Sequence, residues 1–191
     1  MIGLSAISLG HNTSAKASDE IEQVVGAKEM QSDKKQAIEK LTEELIKGFY
    51  KQAEVASLEG GKTILEFLDK HTAEDAKSKL HMRTVMPNKP PEKSIVTSDK
   101  PTILADTKAA YEKGSVDTMK TEVISVNISD DGKSASVIEK TVSDYSLTLS
   151  ETQKLKIRSE QSCDTSIILN DGVIQSGNSE CDVEANIEPV K

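Results

Sequence analysis

The run Cys163-Asp-Thr-Ser-Ile-Ile-Leu-Asn170-Asp171-Gly172-Val-Ile-Gln-Ser-Gly177-Asn-Ser-Glu-Cys181 holds both cysteines of the chain around an Asn-Asp-Gly turn. A Gly at the second turn position after Asp or Asn is the strongest short-range hairpin signal, because a tight hairpin turn needs positive φ at both central residues. The flanks agree. Leu155, Ile157, Cys163, Ile167 and Leu169 are apolar at odd positions, while Lys156, Arg158, Glu160, Ser162, Asp164 and Ser166 are polar at even ones. That is the period of a half-buried strand, and it turns both cysteines toward a core.

The register can be worked out from the turn. A two-residue turn at Asp171-Gly172 pairs Asn170 with Val173 and Leu169 with Ile174. Continued without a break, it sets Cys163 against Glu180 and turns Val183 and Ile187 away from Leu155 and Ile157. One extra residue in the second strand corrects all of this, and Gly177 is its natural place, since glycine inside a strand often marks a bulge. Beyond it Cys163 faces Cys181, Gln161 faces Val183, Ser159 faces Ala185 and Ile157 faces Ile187. Glu180, Asp182, Glu184, Asn186 and Glu188 then share the wet face. Directly opposed residues on antiparallel strands have Cα atoms about 4.5 to 5.5 Å apart, within disulfide range. The two readings of the pair are a disulfide and two buried thiols.

Working outward, 191 residues with 36% hydrophobic content suit one domain with an N-terminal appendage. There is no Trp, with two Phe and three Tyr, so the core is aliphatic and a ring-lined pocket is not expected. A formal charge of −8 without a Lys/Arg cluster argues against nucleic acid as a partner. No apolar stretch approaches the about 18 residues of a membrane span.

Residues 1–17 start apolar and end Ala15-Lys16-Ala17, the small-x-small pattern at which a signal peptide is cleaved. They read as a truncated signal peptide or a disordered tail, residues 18–32 as a polar tether, and 33–191 as a single α+β domain. Leader and cysteine pair point to one oxidising location, secreted or periplasmic.

Within the domain, Ser32 and Asp33 open a helix carrying Ile38, Leu41, Leu45, Phe49, Ala53 and Ala56 on one stripe, ending at Gly60-Gly61. A shorter helix follows from about Lys62 to His71, and a turn of helix over Ala73 to Leu80 continues it. Met86 to Pro101 holds four of the five prolines and reads as extended or irregular, with Ile95-Val96 as a short anchor. Ser98 or Asp99, with Pro101, starts a helix to about Lys113. Thr121–Ser129 and Lys133–Leu149 form a hairpin about Asp131-Gly132, pairing Ile128 with Ala135 and Val126 with Val137.

Helix, short helix, irregular segment, helix, then long antiparallel strands is the element order of the NTF2-like (SnoaL/ketosteroid-isomerase-like) superfamily. The chain resembles a distant member from about Asp33 to Ile187. The stretch Asp117-Thr-Met-Lys-Thr-Glu-Val-Ile-Ser-Val-Asn-Ile-Ser-Asp-Asp-Gly-Lys-Ser-Ala-Ser-Val, with the closing Asn-Asp-Gly hairpin, carries the likeness. It implies N-terminal helices packed on a curved, mainly antiparallel sheet, the NTF2-like cone, with an interior cavity or a sheet-to-sheet homodimer. Such folds host isomerases, dehydratases and interaction domains, so fold alone does not choose a function.

For chemistry, Glu139 shares the alternation of Ala135 and Val137 and would point inward if its strand stayed regular, with Tyr50 on the long helix facing it. The alternative places Glu139 beyond a bulge or at an open rim. His11, His71 and His81 show no ligand spacing, and no metal or cofactor is expected. Neither a phosphate loop nor a nucleophile elbow is present. Ser159, Ser162 and Ser166 read as exposed strand positions, and no catalytic residue is assigned. The reading is an exported, non-catalytic binding or assembly module whose partner is an unknown protein or small apolar ligand. The alternative is an isomerase- or dehydratase-like enzyme using Glu139.

Overall fold

The computed structural model describes residues 38–150 and 153–190. The segments 1–17 and 18–32 and the expected cap at Ser32 lie outside these residues. Elements run α1 Glu43–Glu59, α2 Gly61–His71, β1 Lys77–Val85, β2 Glu92–Asp99, α3 Lys100–Lys113, β3 Gly114–Ile128, β4 Ser134–Ser150, β5 Gln153–Asn170 and β6 Val173–Val190. The strands form one six-stranded sheet in the order β2-β1-β6-β5-β4-β3, antiparallel throughout except for β1 beside β6. Among the described residues, three helices on one curved, mainly antiparallel sheet give the expected α+β architecture.

Both hairpins follow the register read from the turns. Asp171 and Gly172 take φ of 48° and 75°, the doubly positive pair that a two-residue hairpin needs. Asn170 pairs with Val173 and Leu169 with Ile174. The register slips between Thr165 and Ile167, where Ile167 faces Ser176 but Thr165 faces Ser179. The extra residue therefore lies at Gly177-Asn178, across from Ser166. A Cβ on Gly177 would come within 2.5 Å of Ser166 Oγ, so any larger residue at the bulge must displace the Ser166 hydroxyl. Past it, Cys163 faces Cys181, Gln161 Val183, Ser159 Ala185 and Ile157 Ile187. In the other hairpin Ile128 pairs with Ala135 and Val126 with Val137.

Four boundaries differ from expectation, and for two of them the structure shows a tertiary reason. The first helix starts at Glu43, about ten residues later than expected, with Thr42 as its cap accepting from the Leu45 amide at 3.2 Å. Just before it, the Leu41 amide donates to the Gly132 carbonyl at 2.8 Å. Ile38 and Leu41 do reach the core cluster of Phe49 and Tyr50, but from a non-helical approach pinned to the β3–β4 turn. Residues 73–80 do not extend α2; they turn into β1, whose Ser78, Leu80 and Met82 are buried while Lys77 and Lys79 are exposed. That period-two pattern lies parallel to β6, a partner about a hundred residues away that local propensity does not reveal. The proline-rich connection ends in an eight-residue strand, β2, instead of a two-residue anchor. Finally, β3 begins at Gly114, directly after α3.

The third helix starts as read: Asp99 caps it, accepting from the Thr102 amide at 3.0 Å, with Pro101 in the first turn. Helix α1 lays Ile46, Phe49 and Tyr50 on Ala135, Val137, Ile167 and Ile174. Leu68, Ile64 and Ile103 join α2 to α3. A third cluster holds Leu80, Met82, Cys163, Cys181 and Val183 on the same face of the sheet.

Candidate functional site

Strand β4 keeps strict alternation from Ala135 to Ser143, so Ala135, Val137, Glu139, Thr141 and Ser143 all point to the helix-bearing face. The bulge that could have turned Glu139 outward sits on the neighbouring strand, between Val123 and Ser125. Glu139 is thus neither past a bulge nor at a rim: its exposure is 0%. It stands across from Val123 on β3 and Cys163 on β5. Thr165 Oγ1 donates to Glu139 Oε1 at 3.4 Å.

Tyr50 is 2% exposed and faces Glu139 and Thr165 from α1, as the sequence suggested. Burial first, and the Glu139 charge next, push ionisation of its hydroxyl far above the ordinary phenol range. Glu139, Tyr50 and Thr165 form a polar knot inside the helix–sheet interface. At 0% exposure the carboxylate has no water-sized space beside it.

The same row of the sheet carries the cysteines. Val123, Glu139, Cys163, Cys181, Leu80 and Val96 are successive cross-strand partners over all six strands. The structure joins Cys163 to Cys181 with Cα atoms 4.1 Å apart, both sulfur-bearing residues being at most 2% exposed.

A second site lies on the opposite, wet face. Strands β1, β2, β4, β5 and β6 each give three consecutive residues (81–83, 93–95, 140–142, 160–162, 182–184) to a groove of about 1000 Å³. The outer two of each triplet point away from the helices by the strand alternation. Its basic side chains are His81, Arg83, Lys93 and Lys140, and its acidic ones are Glu160, Asp182 and Glu184. Arg83 is paired to Glu184, and His81 Nε2 meets Glu180 Oε1 at 2.7 Å, as does Lys79 Nζ at 2.8 Å. These partners hold the Glu180 and Glu184 carboxyls below the usual carboxylate range, through hydrogen bonds from Lys79 and Arg83 respectively. The ion pairs stitch the parallel β1–β6 contact.

Ser162, Asp182 and His81 occupy one row of this groove, on β5, β6 and β1. Their order puts the aspartate in the middle. Serine and histidine are two strand spacings apart, about 9.5 Å, so His81 is not placed to take a proton from Ser162. Ser162 and Ser166 are half-buried rather than exposed, and Ser159 lies on the inner face, across from Ser143 and Ala185. His71 ends α2, stacks on Phe67 at 4.6 Å, and its Nδ1 lies 2.7 Å from the Ile174 carbonyl. Among the described residues no group of three or more His, Cys, Asp or Glu side chains is placed to hold a metal. No helix among them is long and apolar enough to cross a membrane.

Two buried charges escaped the sequence reading. Glu54, 3% exposed, accepts from the Thr121 amide at 2.5 Å and pairs with Lys51 at 2.5 Å. Its position four residues after Tyr50 on the buried helix face was the available signal. Lys100, 6% exposed, binds Glu74 at 2.5 Å and Asp69 at 3.6 Å, tying α3 to the α2–β1 connection; no sequence pattern marked it.

No family model and no curated protein matches the sequence. Among similar solved structures is an NTF2-like protein of unknown function in nutrient uptake from Rhodospirillum rubrum, 14% identical, covering 72% of this chain and 97% of its own, with a TM-score of 0.49. Another is an NTF2-like protein from Cytophaga hutchinsonii, 16% identical over 74% of this chain and 98% of its own, TM-score 0.45. A third is a putative Ca/calmodulin-dependent kinase II association domain from Exiguobacterium sibiricum, 11% identical over 81% and 98%, TM-score 0.49. The neighbours found by structure thus include NTF2-like proteins of low sequence identity, the superfamily to which the element order and the two hairpins already pointed.

Proposed function

We propose that the chain is an exported, non-catalytic binding or assembly module. The observation that carries this is the burial of Glu139: a general base must reach a substrate proton within hydrogen-bond distance, and this carboxylate is 0% exposed, with Thr165 bonded to it and Tyr50 facing it. A groove open to solvent lies on the other side of the sheet, where ion pairs flank apolar side chains and, among the described residues, Ser162 and His81 are not placed as nucleophile and base. Export is supported by Ala15-Lys16-Ala17 and by the buried cysteine pair.

The second reading, an isomerase- or dehydratase-like enzyme, draws on the facing of Tyr50 toward Glu139, a hydroxyl donor beside a carboxylate. It requires the interior to open. Native mass spectrometry of protein taken from its own host separates the two. A polypeptide beginning at Ser18, alone or with a polypeptide partner, fits the module. A small apolar molecule held by the wild type and released by Glu139→Gln installs the enzyme reading instead, whereas cytosolic protein retaining residues 1–17 with both thiols reactive overturns export.

A further inference from the structure

The two edges of the sheet are treated differently. Edge strands invite pairing with another chain, and proteins guard them with bulges, charges or covering elements. Strand β3 has such guards: two register breaks, after Val116 and after Val123, and the Glu54 carboxylate from α1 on its Thr121 amide. Strand β2 has neither a register break nor a carboxylate on its outer backbone among the described residues, and its charges, Glu92, Lys93 and Asp99, stand at its two ends. Its register to β1 runs unbroken from Glu92 to Asp99, and its centre, Ser94-Ile95-Val96-Thr97-Ser98, is uncharged and rich in β-branched residues. Ile95 is 65% exposed on it.

We propose that β2 is an assembly edge that pairs antiparallel with β2 of a second copy, centred on Val96, joining two sheets into one. This deepens the assembly reading and rests on it. A two-fold axis perpendicular to the sheet keeps inner faces together, so only registers centred on a residue are allowed. Centring on Val96 sets Val96 against itself on the inner face and Ser94 against Ser98 of the other copy. On the wet face it sets Ile95 against Thr97 and Lys93 against Asp99, each twice by symmetry. Opposite charges and β-branched pairs are the favourable cross-strand combinations. Centring on Ile95 instead sets Asp99 against Pro91, which has no amide to give, and centring on Thr97 sets Lys93 against Pro101. The charge match also answers a local conflict, since within one copy Lys93 stands directly across from Arg83.

Analytical ultracentrifugation over a concentration series tests the edge. The wild type forms a dimer that added salt weakens. Lys93→Glu, which puts two like-charge pairs in place of two opposite ones, weakens it about tenfold, and added salt narrows that difference. Ile95→Lys weakens it further. The register is read by oxidative cross-linking of mixed single-cysteine variants, using native Cys163 and Cys181 as the background. Ile95→Cys with Thr97→Cys cross-links efficiently, and either alone does so poorly. A monomer at every concentration overturns the proposal and leaves the ligand test of the module reading untouched. So does a dimer indifferent to Lys93→Glu but broken by Ile138→Lys on the wet face of β4, and so does efficient cross-linking of Ile95→Cys with itself. Should Ile95→Lys fail to fold, the Lys93→Glu and cross-linking results decide alone.

Discussion

Glu139 stands directly across the β4–β5 ladder from Cys163, so the buried carboxylate and the cysteine pair are neighbours in one row of the sheet. Polar and covalent reinforcement meet where the row runs out from under α1. On the α1 side, Tyr50 and Thr165 surround the carboxylate; on the other, the bonded cysteines lie between Leu80 and Val183 in a cluster without a helix residue.

Removing that tie by Cys163→Ala with Cys181→Ala should lower unfolding free energy by about 3 kcal/mol on the loop-entropy argument. The two residues are 18 apart in sequence and close a modest loop. Urea unfolding of wild type and double variant, both without reductant, measures it. Equal midpoints with equal slopes would show that the sulfurs are not bonded in solution.

Gly177→Ala should destabilise by about 1 to 3 kcal/mol, the usual penalty of overpacking, because its Cβ would lie 2.5 Å from Ser166 Oγ. Ser166→Ala removes that atom together with its bond to the Asn178 carbonyl. The two substitutions should therefore be strongly non-additive, with the double variant better than the sum of its parts. Additive losses would place the strain elsewhere.

How legible the molecule was from sequence divides by distance along the chain. The bulge at Gly177 and the pairing of Cys163 with Cys181 followed from a turn and an alternation within about twenty residues, and Val126 with Val137 likewise. Strand β1 was missed because its hydrogen-bonding partner is β6, and Ser78-Leu80-Met82 is too short and polar an alternation to stand out alone. The late start of α1 was missed for a related reason. Ile38 and Leu41 do pack inward, but a backbone bond to Gly132 replaces the helix that their spacing suggested. Of the site, alternation offered an inward Glu139 beside the alternative of a bulge or a rim, and Tyr50 was a candidate to face it from the long helix, whereas Thr165 as a third member needed the β4–β5 register.

Glu54→Leu should destabilise by about 1.5 to 3 kcal/mol, the range for hydrogen bonds to charged groups, since the Thr121 amide would lose its carboxylate at a buried position. It should also increase self-association, because β3 would lose a guard on its edge. Thermal unfolding gives the first and light scattering the second. Glu54→Gln keeps an acceptor and should lose less. A variant as stable and as dispersed as wild type would mean the carboxylate is incidental to the edge.

The alkaline limit of the fold should be set by tyrosine. The chain has three, and burial raises the ionisation of Tyr50, Tyr111 and Tyr145 alike. A tyrosine ionises near pH 10 in the unfolded chain. With the folded value higher, the native state binds more protons above that pH, so stability is intact below about pH 10 and falls as pH rises further. Tyrosinate absorbance should then appear together with loss of the circular dichroism signal, not ahead of it. Tyr50→Phe should move the alkaline midpoint upward, since it removes one of the raised groups, although it also removes the hydroxyl facing Glu139 and Thr165. A tyrosine that titrates near pH 10 while the protein stays folded would show that at least one of these rings is reached by water in solution.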